Sequence, residues 1–312
     1  MERIKWLRKG AVLFLTLLMV LALAGCGGGN NSKTVAFVSH DDRVNFTGQL
    51  CDQIEQGVQA QGMTLEFTNA HMDANTQIDQ MNEVIAKKPA AIILLPVDAD
   101  ALKPLVEKAN AEKIPVIVTN RDLAGGTYAQ VQSDERQAGR IQGEYMAKNL
   151  KPGAKIVYFM GESRLQAAQQ RWEGFKEACL DKRPNIELLT SADAGWSETE
   201  ALKDMTLWLK LYPQIDAIVS GNDNMALGGV RAMKAAGRMN SDVLVTGVDA
   251  GPDAIKAVAA GDMSLTVKQD AAKSAETILS ILQKILSSGQ TTDDEKVPFI
   301  PITRDNVSQY QQ

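Results

Sequence analysis

Histidine and cysteine are scarce in this sequence, which has two histidines and three cysteines among 312 residues. No Cys/His spacing typical of a metal site occurs, so we expect no bound metal. Two of the cysteines, Cys51 and Cys179, fall far apart on predicted helices. We therefore expect them to be buried free thiols rather than partners in a disulfide.

Motifs for cofactor binding and catalysis are missing as well. No strand is followed by Gly-x-Gly-x-x-Gly, and no Gly-Lys-Ser/Thr loop is present, so nothing indicates a nucleotide cofactor. Neither a nucleophile elbow nor His-Glu-x-x-His occurs. We expect no cofactor and no enzymatic activity; turnover of a bound molecule would be the contrary observation.

Basic residues are in the minority, since 33 Lys and Arg stand against 38 Asp and Glu for a formal net charge of −5. Nucleic-acid binding needs a positively charged surface, and the sequence has no basic run that could form one. A transcriptional repressor would also need an N-terminal helix-turn-helix, whereas this chain opens with an apolar leader. We expect no nucleic-acid partner.

The first 25 residues predict a lipoprotein signal peptide. Four basic residues precede an apolar run from Ala11 to Leu23, which is shorter than the ~20 residues of a typical membrane-spanning helix. Leu23-Ala24-Gly25-Cys26 resembles a bacterial lipobox, so cleavage would leave Cys26 as the lipidation site. Residues 26–32 are rich in glycine and asparagine and predict a flexible tether. The alternative is an ordinary secretory signal with an incidental cysteine.

From Lys33 onward, short β-branched runs alternate with longer segments of helical period. The predicted strands are Thr34–Val38, Thr64–Phe67, Ala91–Leu95, Val116–Thr119, Ile156–Met160, Ile186–Thr190, Ala217–Ser220, Leu244–Gly247 and Leu265–Val267. Strands buried on both faces, with helical crossovers, predict parallel sheets and an α/β doubly wound fold. Roughly 280 residues exceed what one core usually holds, so we expect two lobes.

Several motifs follow the predicted strands in a fixed order. They include Pro96-Val97-Asp98, Asn120-Arg121-Asp122, Arg171-Trp172-Glu173-Gly174-Phe175, Gly221-Asn222-Asp223-Asn224-Met225, Gly247-Val248-Asp249 and Thr266-Val267-Lys268-Gln269. With these motifs, residues 33–302 resemble the periplasmic sugar-binding proteins of the ribose and galactose type, the type I substrate-binding proteins of ABC transporters. The resemblance implies two doubly wound lobes, joined by a three-strand hinge, with the ligand in the cleft between them.

The resemblance also implies lobe boundaries and ligand-binding residues. The N-terminal lobe would comprise residues 33–133 and 270–297, and the C-terminal lobe residues 134–269 and 298–312, with hinge strands near Ser133, Gln269 and Pro298. The matching binding residues are Phe46, Asn120 or Arg121, Arg171, Trp196, Asn222, Asp249 and Gln269. Aromatic rings suit the C–H faces of a sugar, while amides, carboxylates and guanidinium groups suit its hydroxyls.

Each predicted contact has a structural alternative. Asn222 suits the N-cap of the following helix, and Asp249 suits a turn before Gly251-Pro252. Arg171 could instead pair with Glu173 or another surface acid. Phe46 could be a hydrophobic staple, Gln269 could bond only hinge backbone, and Trp196 could be a half-buried loop aromatic.

Departures from the family pattern leave the ligand open. Residues 163–167 lack the histidine and aspartate of galactose- and glucose-type members, and Asn120 stands where ribose-type members have aspartate. The ribose-type arginine aligns better with Gln169 than with Arg171. In the first loop, the candidates for a ligand contact are Asp41, Asp42 and Asn45. We expect a monosaccharide or a cyclic polyol.

The function that the resemblance implies is solute capture without chemistry. The chain would be an extracytoplasmic lipoprotein, anchored to the bacterial cell membrane through Cys26, that delivers its ligand to the transmembrane subunits of an ABC permease. We expect a monomer without metal or cofactor. The alternative is a sensory module that reports a sugar to a chemoreceptor or a histidine kinase, because such modules use the same fold and site.

Overall fold

The computed structural model describes residues 32–41, 43, 45–123, 125–289 and 294–311. The predicted signal peptide, the lipidation site Cys26 and nearly all of the tether lie outside the described residues. Within the described ranges, no helix has both the length and the apolar character needed to cross a lipid bilayer.

Twelve strands form two six-stranded sheets in the described part of the chain. The strands are β1 (Thr34–Ser39), β2 (Thr64–Asn69), β3 (Ala91–Leu94), β4 (Val116–Thr119), β5 (Ala129–Ser133), β6 (Lys155–Met160), β7 (Glu187–Asp193), β8 (Ala217–Ser220), β9 (Leu244–Val248), β10 (Leu265–Lys268), β11 (Asp294–Val297) and β12 (Ile300–Thr303). The first sheet has the order β11-β5-β4-β3-β1-β2 and the second the order β12-β10-β9-β8-β6-β7. Neighbouring described strands pair in parallel, apart from the antiparallel pair β10 and β12.

Helices alternate with these strands, as parallel pairing requires. The helices are α1 (Asn45–Ala60), α2 (Ala74–Lys87), α3 (Ala99–Ala111), α4 (Glu135–Asn149), α5 (Gln166–Phe175), α6 (Glu198–Leu211), α7 (Asp223–Ala235), α8 (Pro252–Ala260) and α9 (Ala271–Ser288). A π-helical turn over Lys176–Leu180 continues α5. The predicted α/β doubly wound fold is confirmed.

Both faces of the first sheet are covered. Successive side chains of a strand point to opposite faces, and on β1 Phe37 packs in a cluster with Leu50 of α1, while Val38 packs in another with Met81 of α2. The second sheet is likewise buried along its central strands. With the faces covered, the carboxyl ends of the strands are the part of each sheet that is open to a ligand.

The chain passes between the two sheets at three places: between β5 and α4, between β10 and α9, and between β11 and β12. Just after the first of these, α4 lies very close to α5. A Cβ atom at Gly139 would lie 2.0 Å from the carbonyl oxygen of Arg171, so only glycine permits this approach. The close contact brings Glu135, at the start of α4, next to Arg171 of α5.

Candidate ligand-binding site

A cavity of about 340 Å³ lies where the carboxyl ends of strands from both sheets come together. Ligands of open α/β sheets bind at this edge. The structure places every predicted contact residue on the wall of this one cavity: Phe46, Asn120, Arg121, Arg171, Trp196, Asn222, Asp249 and Gln269. Residues from distant parts of the chain are therefore brought into one site.

Two aromatic side chains line the cavity, and each packs against the core of a different sheet. Phe46 lies in the first turn of α1 and packs against the core of the first sheet, so it is part of the helix rather than a staple that precedes it. Trp196 follows β7 and packs against the core of the second sheet. A Cβ atom at Gly161 would lie 2.1 Å from Cζ2 of Trp196, so glycine at that position makes room for the indole.

Asn120 and Gln269 join the two sheets at the cavity. Asn120 follows β4 with a backbone φ of 61°, a left-handed conformation that asparagine tolerates better than most residues. The Nε2 of Gln269, which follows β10, donates a hydrogen bond of 2.6 Å to Oδ1 of Asn120. Gln269 thus bonds a side chain across the site, and not hinge backbone alone as the alternative had it.

Arg171 is held in a buried ion pair. Its Nε donates to Oε2 of Glu135 at 2.6 Å, and its Nη1 donates to the carbonyl oxygen of Gly221 at 2.6 Å. Both charged side chains are under one-tenth exposed. The predicted alternative partner, Glu173, instead accepts a hydrogen bond from Arg136 at 2.7 Å. Glu135 was missed in the sequence because nothing local links it to Arg171.

The guanidinium group of Arg171 keeps its positive charge. Burial by itself would lower the pKa of the guanidinium, but the carboxylates of Glu135 and Asp249 outweigh this and raise it. The guanidinium also lies over the indole of Trp196, with 5.6 Å between Cζ and the ring centroid. Arg171 therefore remains charged at the cavity wall, where it is paired with Glu135 and lies over the ring of Trp196.

Asp249 follows β9 and presents a carboxylate to the cavity. Its backbone has a φ of 117°, and its N–H donates to the carbonyl oxygen of Val267 at 2.9 Å. Among the described residues, none donates a hydrogen bond to this carboxylate or forms an ion pair with it. Burial raises its pKa to about 7, with Arg171 opposing the rise and Glu135 adding to it. Asp249 is thus more than a turn residue.

Asp223 lies near Asp249 and bonds the backbone that follows it. Its carboxylate accepts hydrogen bonds from Oγ1 of Thr266 at 2.7 Å and from the N–H of Gly251 at 3.0 Å. Burial and the neighbouring Asp249 carboxylate raise the pKa of Asp223 well above its usual range. The role of Asp223 could not be predicted from the sequence, because one of its hydrogen-bond partners lies within β10 and the other follows β9.

Asn222 has two roles. Its Oδ1 accepts a hydrogen bond from the N–H of Met225 at 3.0 Å, so the predicted alternative of an N-cap on α7 is confirmed. Its Nδ2 donates to the carbonyl oxygen of Trp196 at 3.2 Å, and the side chain also lines the cavity. The cap fixes the amide, and the amide in turn fixes the loop that carries Trp196.

Three further polar residues line the cavity: His40, Asp41 and Glu162. His40 directly follows β1 and is nine-tenths buried. Burial and the nearby Arg121 lower its pKa well below the usual value, so the imidazole is neutral. Of the three candidates in this loop, Asp41 reaches the cavity, whereas Asp42 and the side chain of Asn45 lie outside the described part of the chain.

Arg121 lines this cavity and a second one of about the same volume. Its Nη1 donates to the carbonyl oxygens of Pro96 and Val97 at 2.9 and 3.2 Å. Burial lowers its pKa to about 10, with Glu162 acting in the opposite direction, so the guanidinium is charged at neutral pH. No group of metal-ligating side chains that could hold a cation was found among the described residues.

The described chain has two sheets of mostly parallel strands, linked three times, and a cavity with aromatic and polar walls. These features define a ligand-binding protein of two doubly wound units. The chain belongs to the periplasmic binding protein family, since the model of the periplasmic binding protein domain matches residues 35–291. The resemblance seen in the sequence is confirmed. Members of this family bind substrates for transport, and the family implies a location outside the cytoplasm.

Named relatives agree with this assignment. The chain is 31% identical over 297 residues to a xylitol-binding protein of Mycolicibacterium smegmatis. The aligned residues cover 92% of this chain and 83% of the relative. It is 31% identical over 257 residues to a ribose import binding protein of Salmonella typhimurium, over 81% and 86% of the two chains. The solved structure of an ABC transporter solute-binding protein from Bacillus halodurans with bound myo-inositol has a TM-score of 0.83 and 30% sequence identity to this chain. The match covers 91% of this chain and 99% of that protein.

Proposed function

We propose that this protein captures a monosaccharide or a cyclic polyol in the cavity between its sheets and delivers it to an ABC importer. The observation that carries this proposal is the wall of the cavity, where an aromatic ring from each sheet accompanies a set of polar side chains. The names of the relatives, which include a ribose import binding protein and a protein with bound myo-inositol, favour import over sensing.

The chemistry of the wall suits such a ligand. Phe46 and Trp196 offer apolar faces for the C–H groups of a ring, and stacking of this kind is typical of aromatic side chains. Asp249 offers an acceptor without a partner among the described residues, so two neighbouring hydroxyls can donate to its oxygens. A volume of about 340 Å³ lies at the lower end of known small-molecule sites, as a single sugar ring requires.

Capture would take place by rotation of two lobes. The N-terminal lobe comprises residues 33–133 and 270–297, and the C-terminal lobe residues 134–269 and 298–312. Residues of both lobes line the cavity, and the bond between Gln269 and Asn120 joins them. A ligand that contacts both lobes only in the closed form shifts the population towards that form. The closed form would then bind the permease.

We include a lipid anchor at Cys26 in the same proposal. The lipobox-like sequence before Cys26 supports cleavage at that residue and a lipid anchor in the bacterial cell membrane. The flexible tether would let an anchored, monomeric domain reach both its ligand and the permease. Mass spectrometry of the membrane-extracted protein, with Cys26→Ser as the control, tests the anchor.

A thermal-shift panel tests the proposed class of ligand. The purified protein is heated with pentoses, hexoses, amino sugars, inositols, linear polyols and amino acids in turn. A ligand that binds only the folded protein at a thousandfold excess over Kd stabilises it by roughly 4 kcal/mol. We expect a clear rise in Tm with one ring-shaped, hydroxyl-rich compound. Stabilisation by amino acids only, or by no compound, would contradict the proposal.

A further inference from the structure

His40 directly follows β1, and hydrogen bonds hold its backbone at the wall of the cavity. Its carbonyl oxygen accepts a hydrogen bond of 2.7 Å from the N–H of Met72, and next to it Oγ of Ser39 donates to the carbonyl oxygen of Asp41 at 2.8 Å. Met72 and the preceding His71 both have left-handed backbones, with φ of 60° and 49°. Such conformations cost free energy in residues other than glycine and concentrate at ligand-binding sites.

The imidazole of His40 has no hydrogen-bond partner in the described part of the chain. Its Nδ1 is enclosed by protein and makes no hydrogen bond with any described residue. Its Nε2 is not enclosed in this way, and it has no partner among the described residues either. Because the side chain lines the cavity, the cavity is where Nε2 can meet a partner.

A buried imidazole without a partner is unfavourable. A polar group that leaves water without gaining a hydrogen bond costs free energy, whereas a phenylalanine would fill the same space without that cost. Since buried polar side chains are nearly always hydrogen-bonded, each exception calls for an explanation. For His40, a partner that enters the cavity from outside the protein supplies it.

The imidazole of His40 offers a donor to this cavity. Burial and the neighbouring Arg121 lower its pKa well below the usual value, so the ring is neutral and has one N–H and one bare nitrogen. A buried N–H without an acceptor is rarer in proteins than a buried acceptor without a donor. The enclosed Nδ1 is therefore the bare nitrogen, and the hydrogen lies on Nε2.

We propose that His40 is a specificity-determining residue, whose Nε2–H donates a hydrogen bond to one hydroxyl oxygen of the ligand. This inference rests on the proposed function and adds a residue that sets its selectivity. A hydroxyl is the acceptor that all candidate rings share, since a cyclitol has no ring oxygen. A compound without that hydroxyl leaves the N–H of His40 buried and unpaired, which disfavours its binding.

Calorimetric titration with D-ribose, D-glucose, D-galactose and myo-inositol, each beside its monodeoxy analogues, tests this proposal. For the ring that binds most tightly, removal of the hydroxyl that faces His40 should raise the Kd of the wild type. We expect His40→Phe to reduce this ratio of Kd values about 10-fold, because the variant has no N–H to leave unpaired. The ratios for the other hydroxyls should change by less than about twofold.

Two variants serve as controls. His40→Gln has an amide N–H in place of Nε2–H and should keep the ratio. The other histidine in the sequence is His71, which is exposed and has its Nδ1 3.0 Å from Nδ2 of Asn69. His71→Asn tolerates the positive φ and should leave every Kd unchanged. If His40→Phe weakens the binding of every compound by the same factor, this inference is wrong and the proposed function stands. If the wild type binds no pentose, hexose or cyclitol, both are wrong.

Nuclear magnetic resonance of the protein with isotope-labelled histidine checks the tautomer directly. The sequence has two histidines, so the spectrum of His71→Asn identifies the signals of each ring. We expect the ring of His40 to be neutral with its proton on Nε2, and the best-bound of the four rings at saturation to shift its signals and not those of His71. A proton on Nδ1, or signals of His40 that do not respond at saturation, would overturn the inference.

Discussion

Replacement of Asp249 by asparagine is expected to weaken ligand binding by about 100-fold. The carboxylate lines the cavity, has no ion pair or hydrogen bond with the described residues, and so depends on the ligand for its donors. Asparagine keeps the shape and tolerates the positive φ of 117°. Calorimetric titration with the compound found in the thermal-shift panel gives the two Kd values, and a loss of less than threefold would contradict the assignment.

The unliganded Asp249→Asn protein provides the control for folding. The pKa of Asp249 in the folded protein is about 7, whereas the ordinary value for an aspartate is 3.8. The folded state therefore binds a proton at this carboxylate more tightly than the unfolded state does. The wild type should therefore lose stability relative to the variant as the pH rises from about 4 to about 7. Urea unfolding at several pH values measures this difference, and a variant that is less stable throughout would indicate a structural defect.

Glu135→Gln is expected to lower the free energy of unfolding by about 3 kcal/mol, because it leaves the buried guanidinium of Arg171 without its counter-charge. Glutamine conserves the size of the side chain, so the change tests the charge and not packing. The ion pair has 2.6 Å between its atoms, and both side chains are more than nine-tenths buried. Urea unfolding followed by circular dichroism measures the loss.

A neighbouring surface pair supplies the matched control. Glu173 bonds Arg136 at 2.7 Å between the same two helices, but both side chains are well exposed. Glu173→Gln should therefore change stability by less than about 1 kcal/mol. The double variant Glu135→Met/Arg171→Met should be more stable than Glu135→Gln, since it leaves no unpaired charge. Equal losses for Glu135→Gln and Glu173→Gln would show that burial adds nothing to the first pair.

The alternation of strands and helices could be predicted because it is local. Strands such as β4 and β8 are short, fully buried apolar runs, and their predicted bounds agree with the structure. β5 (Ala129–Ser133) is not among the predicted strands. Its two glutamines are half-buried and alternate with buried residues, so the segment resembles a polar loop in the sequence. Its pairing with β4 and β11 identifies it as a strand.

Most of the predicted contact residues meet in one cavity because they lie shortly after a strand or at the start of a helix, and Arg171, in the middle of α5, is the exception. This position can be read from the chain, and His40, immediately after β1, could have been found by the same rule. The ion pair of Arg171 with Glu135 could not be found in this way. It depends on the close approach of α4 and α5 at Gly139, a contact between helices that no sequence pattern reveals.

We propose that a ligand draws the two lobes together around this cavity. Small-angle X-ray scattering of the purified protein, alone and saturated with the ligand found in the panel, tests it most directly. We predict a smaller radius of gyration and a shorter maximum dimension with the ligand. At a ligand concentration of about ten times the wild-type Kd, a variant that binds about 100-fold more weakly is only about one-tenth occupied, so Asp249→Asn should change little. Identical scattering of the wild type with and without a ligand that is shown to bind would contradict capture by lobe closure.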